Sequence, residues 1–140
     1  MTKKEDNMNR KHIYVAGPYT KDDPVINTRL AILAGTEIYR MGAFPVIPHL
    51  TLLVHMIEPQ ELEFWYEYDM NQLARCDAAV RLPGPSTGAD EEMRVANEEL
   101  QIPIFHLGNE PFTVVSLHDM ITCGLESWLK DQEAIGYTLP

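Results

Sequence analysis

Basic residues are scarce in this chain. Of 140 residues, 11 are Lys or Arg against 21 Asp or Glu, giving a net charge of -10. That balance excludes a broad basic surface for duplex nucleic acid or an anionic membrane. It leaves room for a small anion held by backbone N–H groups at a helix start. Cysteine is also scarce: Cys76 and Cys123 lie far apart and neither belongs to a CxxC pair. A disulfide framework is therefore not expected, and a reducing, cytoplasmic compartment is the simplest reading. The histidines, His12, His49, His55, His106 and His118, include no HxxxH or HExxH spacing, so no metal site is expected. No apolar run approaches the ~18 residues that a membrane span needs. The charged opening MTKKEDNMNRK lacks the long apolar stretch of a secretory signal. Internal repeats, low-complexity tracts and interdomain linkers are absent as well.

What is present is an ordinary globular composition, 45% hydrophobic, in a chain long enough to bury a core. We expect a flexible leader over residues 1–11 and a single domain over 12–140. Strand-like and helix-like stretches alternate. HIYVAG (His12 to Gly17) reads as a strand, and Pro24 to Met41 as a helix with apolar residues at Ile26, Leu30, Leu33, Ala34, Ile38 and Met41, stopped by Gly42. AFPVIP (Ala43 to Pro48) reads as a short strand between prolines. HLTLLVHMIEP is helix or loop. Pro59 to Cys76 reads as a helix, DAAVRLPG as a strand, GADEEMRVANEEL as a helix and IPIFHL as a strand. Ser116 to Asp131 closes the series as a helix, with FTVV as a possible short strand before it. This alternation implies βαβ units and an α/β fold: a doubly wound, flavodoxin- or Rossmann-like sandwich with four or five parallel strands. Ligands in such sheets bind at the carboxyl ends of the strands. Two expected strand ends carry Gly-Pro-rich turns, AGPYT and LPGPSTG.

The second of these turns leads into two adjacent acids, Glu91 and Glu92. On a helix, Ala89, Met93, Ala96 and Leu100 form one apolar stripe. Glu92 flanks that stripe, so its carboxylate is either functional or paired. Glu91 falls on the opposite face with Arg94 and Glu98, as a solvated surface acid. Gly88, four residues before Glu92, lets a ligand approach the backbone closely. Ser86 offers a hydroxyl to an anion or, equally, a cap to the helix. Asp69 shares a helix face with Leu73 and Cys76, so it points inward or, as an ordinary helix acid, to solvent. Asp77 reads as a helix stop. Tyr14 sits within the first strand as a packing residue or a site residue. His49 starts the loop after the second strand, as a structural or a site histidine. The aromatic cluster Phe64, Trp65, Tyr66 and Tyr68 reads as core or as a contact surface between copies.

Taken together, IYVAGPYT, PHL, the run W…D…L..CDAAV.LPG and S.GA..E...A resemble the nucleoside 2-deoxyribosyltransferase superfamily. The resemblance runs from about Ile13 to Phe105. It is nearest to the small uncharacterised members, and looser to the characterised transferases and to the 2′-deoxynucleoside 5′-phosphate N-hydrolases. It implies that Glu92 is the nucleophile, that Asp69 holds and protonates the base, and that Tyr14 orients Glu92. It implies substrate contacts at Gly17 and Pro18 in the first loop, at Ser86 and Gly88 in the second turn, and at His49. The hydrolases carry an arginine and further glycines in the first loop, whereas GPYTKDDP here has Lys21 as its only cation.

The implied chemistry suits these residue types. A carboxylate beside the anomeric carbon stabilises an oxocarbenium-like state and can form a covalent glycosyl-enzyme. An acid at the base assists its departure. No metal or organic cofactor is needed. The expected partner is a small-molecule nucleoside or nucleotide, with neither duplex nucleic acid nor membrane, and a homo-oligomer is expected. The alternatives are a ribosyl hydrolase acting on a 5′-nucleotide or NAD, a nucleotide-binding sensor without turnover, and a chain that has kept only an oligomer interface.

Overall fold

Each element of the computed structural model, which describes residues 2, 10–108 and 123–134, follows from local sequence. The apolar run of β1 (His12–Ala16) is buried from Ile13 onward, as a central parallel strand requires. Asp23 opens α1 (Pro24–Arg40): its carboxylate accepts from the N–H groups of Val25, at 2.9 Å, and Ile26, at 3.3 Å. Pro24 fits the first helical position, where an N–H is not needed. Gly42, at φ 95°, follows the last turn, as the sequence predicts. The strand expected over Ala43 to Pro48 is confined to β2 (Phe44–Val46), because Pro48 opens a 3-10 turn over Pro48–Thr51. The ambiguous stretch that follows is helical: α2 (Leu52–Ile57) buries none of its residues. Next come α3 (Leu62–Leu73), β3 (Ala78–Arg81) and α4 (Thr87–Arg94). The single helix expected over 88–100 changes character at Val95. A wider π turn runs over Val95–Leu100 and stops at Gln101, which adopts a left-handed φ of 55°. β4 (Ile104–His106) and α5 (Leu125–Ala134) complete the chain. The expected strand FTVV, and the part of the last helix before residue 123, lie outside the described residues.

The sheet order is β2-β1-β3-β4 and every pair is parallel. With five helices around it among the described residues, this is a Rossmann-like α/β fold. Among the described residues the sheet has four strands, and no helix is long and apolar enough to cross a membrane. Arg10 and Lys11, at the end of the expected leader, are already attached to the sheet. The Arg10 guanidinium lies 5.2 Å from the Phe44 ring centre, and the Lys11 carbonyl accepts from Phe44 N–H at 2.8 Å. Asp77, expected as a helix stop, also clamps two strands. Its carboxylate accepts from His12 N–H at 2.8 Å, and its own N–H donates to the His12 carbonyl at 2.8 Å.

Strand parity sorts the core. Ile13 and Val15 pack on one face with Ala31, Ala34 and Ile38 of α1 and Leu125 and Leu129 of α5. Tyr14 and Ala16 pack on the other, with Leu73 of α3 and Ala89, Met93 and Ala96 at α4 and its π extension. Because side chains alternate along a strand, Tyr14 faces the two helices that carry Asp69 and Glu92. Arg81, in register with Ala16, shares that face.

The direction of travel reverses between β1 and β3: the chain moves from β1 outward to β2, and from β3 outward to β4 on the other side. The crevice at such a reversal is the usual ligand position in open α/β sheets. Here the two chains leaving it nearly touch, and a Cβ on Gly17 would lie 2.9 Å from Leu82 Cβ. We therefore expect Gly17→Ala to lower stability by about 1–3 kcal/mol, the usual cost of overpacking. A urea midpoint unchanged from the parent would contradict this.

Candidate active site

A cavity of about 870 Å³ opens at the carboxyl ends of β1 and β3. Its walls come from four stretches of chain: the loop after β1, the 3-10 turn after β2, the start of α4, and the face formed by α2 and α3. Glu92 and Asp69 both line it. Of the other residues singled out from the sequence, Gly17, Pro18, His49, Ser86 and Gly88 line it too. Tyr14 does not. It is fully buried in the sheet core and reaches Glu92 from beneath.

The α4 stripe accounts for the separation of the two adjacent acids. Ala89, Met93 and Ala96 are buried against the sheet, which turns Glu92 inward. Glu91 stays on the outer face, where Arg94 donates to its carboxylate at 2.8 and 3.0 Å. Arg94 also holds Glu98 and Glu99. The neighbouring arginine keeps the Glu91 carboxyl below its ordinary range, so Glu91 is a surface anion.

Glu92 lives in the opposite environment. Burial pushes its carboxyl up to about 7, against the lowering effects of a hydrogen bond from Tyr14 and the positive charge of Arg81, with nearby Asp69 raising it further. Burial likewise pushes Asp69 up to about 7. The Tyr14 phenol is driven far above its ordinary value, first by burial and then by the charges of Glu92 and Asp69. It stays protonated and serves as a donor. The phenol–carboxylate contact is close enough to shift both groups, yet it falls short of a fully aligned hydrogen bond. Tyr14 Oη, Asp69 Oδ1 and Glu92 Oε2 are all buried without a completed partner. Buried polar atoms are normally satisfied, so three such atoms at one place single out this corner as the candidate site. Burial also pushes the Cys76 thiol up to about 12, which removes it as a nucleophile near neutral pH.

The second turn is held from below by Arg81, a residue the sequence reading passed over. Its guanidinium donates to the Leu82 carbonyl, to the Gly84 carbonyl at 3.0 Å and to the Asp90 carboxylate at 3.0 Å. A buried arginine in an otherwise apolar strand was the available signal, since such a charge needs partners. Gly84 takes a positive φ of 114°, and Ser86 caps α4 by accepting from Ala89 N–H at 3.1 Å. The capping role weighed for Ser86 is thus real. The N–H groups of Thr87 and Gly88 remain at the cavity without an intrahelical acceptor, as at every helix start. A Cβ at Gly88 would meet no atom within 4 Å, so nothing in the protein itself demands glycine there.

The first loop is fixed by Asn27, which carried no signal in the sequence, and by His49, which did. The Asn27 side chain donates to the carbonyls of Tyr19, at 3.0 Å, and Lys21, at 2.7 Å. His49 is buried, and its Nε2–H donates to the Pro18 carbonyl at 3.0 Å. Burial lowers its pKa, which keeps the ring neutral. His49 is thus both a wall of the cavity and the anchor of the Pro18 loop. Lys21 is the only Lys or Arg among the described lining residues. Trp65 and Tyr66, read as core or contact surface, line the α2–α3 wall. Among the described residues no group of three or more His, Cys, Asp or Glu could hold a metal ion. With this geometry in view, neither the models of known protein families nor the curated proteins give a match to the chain.

Two predictions follow from the burial of the carboxyls and from the open space at Gly88. Glu92 and Asp69 have ordinary values of 4.5 and 3.8 and folded values of about 7, so the folded chain binds protons that the unfolded chain has released. Their contribution to stability is complete below the unfolded values and is lost as pH rises through about 7. Glu92→Gln should flatten the fall in urea midpoint between about pH 5 and about pH 8; parallel curves for parent and variant would refute the assignment. Gly88→Ala should leave stability unchanged or raise it by up to about 1 kcal/mol, the gain in helix propensity. The same substitution should weaken any ligand that uses the α4 start, as titration of ligand into parent and variant would show.

Proposed function

We propose that this chain cleaves or transfers an N-glycosidic bond of a (deoxy)nucleoside or (deoxy)nucleotide, with Glu92 as nucleophile and Asp69 as acid. The observation that carries the reading is the pair of buried carboxyls in one cavity, each pushed up to about 7. Their surroundings differ. Glu92 has Tyr14 and Arg81 to stabilise its charged form, whereas Asp69 has only burial acting on it. Tyr14 and Arg81 favour the charged form of Glu92, and the reaction as proposed uses Glu92 ionised and the proton on Asp69. Environments that separate two carboxyls in this way divide the roles of nucleophile and acid.

The reaction then runs in two steps. A Glu92 carboxylate oxygen bonds to C1′ while the C1′–N bond breaks, and the bond electrons leave with the base. Asp69 delivers its proton to the base, or holds it by a hydrogen bond, as the negative charge develops. In the second step water, or the ring nitrogen of another base, attacks C1′ and releases Glu92. Asp69 takes back a proton from the attacking water, or from the ring N–H of the incoming base, so the enzyme returns to its starting state. Tyr14 donates to the Glu92 carboxylate throughout and sets its direction. The Thr87 and Gly88 N–H groups face the sugar side.

The similarity of IYVAGPYT, PHL and S.GA..E...A to the nucleoside 2-deoxyribosyltransferase superfamily supports the same reading. Cys76 and Cys123 are not joined in a disulfide, which suits a reducing cytoplasm. The apolar residues Met56, Ile57 and Leu62, exposed beside the cavity, suit association of copies of the chain, since exposed apolar clusters commonly mark interfaces.

The test is release of free base from deoxynucleosides and deoxynucleotides, followed by chromatography. Glu92→Gln should lower turnover by about 10³-fold or more, the scale for loss of a covalent nucleophile. Glu91→Gln should leave it unchanged. Asp69→Asn should cost about 10²–10⁴-fold. The rate should peak near pH 7, because it needs Glu92 ionised and Asp69 protonated. Base release that survives Glu92→Gln rules the proposal out.

A further inference from the structure

The α2–α3 wall of the cavity contains a hydrogen-bond arrangement that the reaction as written does not use. His55, the fourth residue of α2, lines the cavity beside Trp65 of α3. Its Nδ1 accepts twice, from the Trp65 indole N–H at 2.8 Å and from the Gln60 backbone N–H at 3.2 Å. The two rings meet edge to face, with centres 5.8 Å apart. A nitrogen that accepts two hydrogen bonds cannot carry a proton, so the neutral ring holds its hydrogen on Nε2. The indole, for its part, is held at a fixed angle, because its N–H is tied to the imidazole. With Nδ1 occupied, the only polar group His55 can present to the cavity is the Nε2–H donor.

Other groups on the wall add to this donor. Asp69 stands on it and, in the mechanism proposed above, carries the proton. Trp65 and Tyr66 supply aromatic surface. A planar ring stacked on that surface therefore meets hydrogen-bond donors at its edge, and favours bases whose edge carries acceptors. We infer that His55 is a specificity-determining residue that selects nucleobases with an oxo group at purine C6 or pyrimidine C4 over their amino counterparts. An amino group at that edge sets donor against donor and leaves the Nε2–H without an acceptor, and a fixed polar group left unpaired discriminates strongly. This inference rests on the proposed nucleoside chemistry for its biological meaning, but it can be measured without turnover.

The experiment is calorimetric titration of the full chain with free hypoxanthine against adenine, and thymine against 5-methylcytosine. The parent should bind each oxo base about 10-fold or more tightly than its amino partner, the scale of one well-formed hydrogen bond. His55→Phe should bring the two within about 2-fold of each other. His55→Gln, which can place an amide N–H near the Nε2 position, should keep part of the preference. Trp65→Phe keeps an aromatic ring but removes the shorter of the two hydrogen bonds on His55 Nδ1, leaving only that from Gln60, and should also reduce the preference. If His55→Phe fails to fold, the Gln and Trp65 variants carry the test. Equal affinity of the parent for oxo and amino bases, no binding of any of the four, or a preference that survives His55→Phe and Trp65→Phe would overturn the inference. Selective binding of oxo bases without cleavage of any deoxynucleoside would leave His55 in this role and remove the glycosidic reading. Cleavage without oxo preference would do the reverse.

Discussion

Two half-buried carboxyl groups that line one cavity cannot both be ionised without an electrostatic cost. At the carboxyl edge of this sheet that cost is met by unequal surroundings: a phenol beneath Glu92, an arginine near it, and burial alone at Asp69. Much of the surrounding structure serves to keep that inequality in place. Strand parity sends Tyr14 and Arg81 to the face shared with α3 and α4, and leaves Ile13 and Val15 to build the core on the other side. A register shift of one residue between β1 and its neighbours would reverse both sets. The Asp77 clamp across the starts of β1 and β3 resists such a shift.

The cavity around the carboxyls is shaped by backbone more than by side chains. Gly17 lets the loop after β1 pass against Leu82. Arg81 ties down the carbonyls of the following turn, so Ser86 meets α4 at the angle needed to cap it. The result is a rigid floor with backbone N–H groups at its edge. The opposite wall is built differently. α2 buries none of its residues, and the hydrogen bonds from Trp65 and Gln60 to His55 join its last turn to the segment leading into α3 and to α3 itself. That wall is held by a few polar contacts rather than by a packed core.

The order of elements was legible from the chain because the strands are short apolar runs between turn residues and α1 and α4 carry clear stripes. Glu92 and Glu91 could be told apart for the same reason, since the Ala89–Met93–Ala96 stripe assigns each acid a face. The boundaries that shifted did so through local backbone effects. Pro48 turned the end of the expected second strand into a 3-10 turn, and the π turn after Arg94 has the same apolar spacing as the helix it replaces.

The sequence by itself determined the parallel α/β alternation, the inward face of α4 and the turn chemistry at Gly17 and Gly84–Gly88, because each depends on residues within a few positions of one another. Only the tertiary structure decided that Tyr14 lies under the cavity rather than in its wall, that Arg81 braces the second turn, and that His55 is held by Trp65. Those facts depend on which neighbours burial and strand pairing bring together, and on where each buried donor finds its acceptor. No periodicity within a single element carries that information.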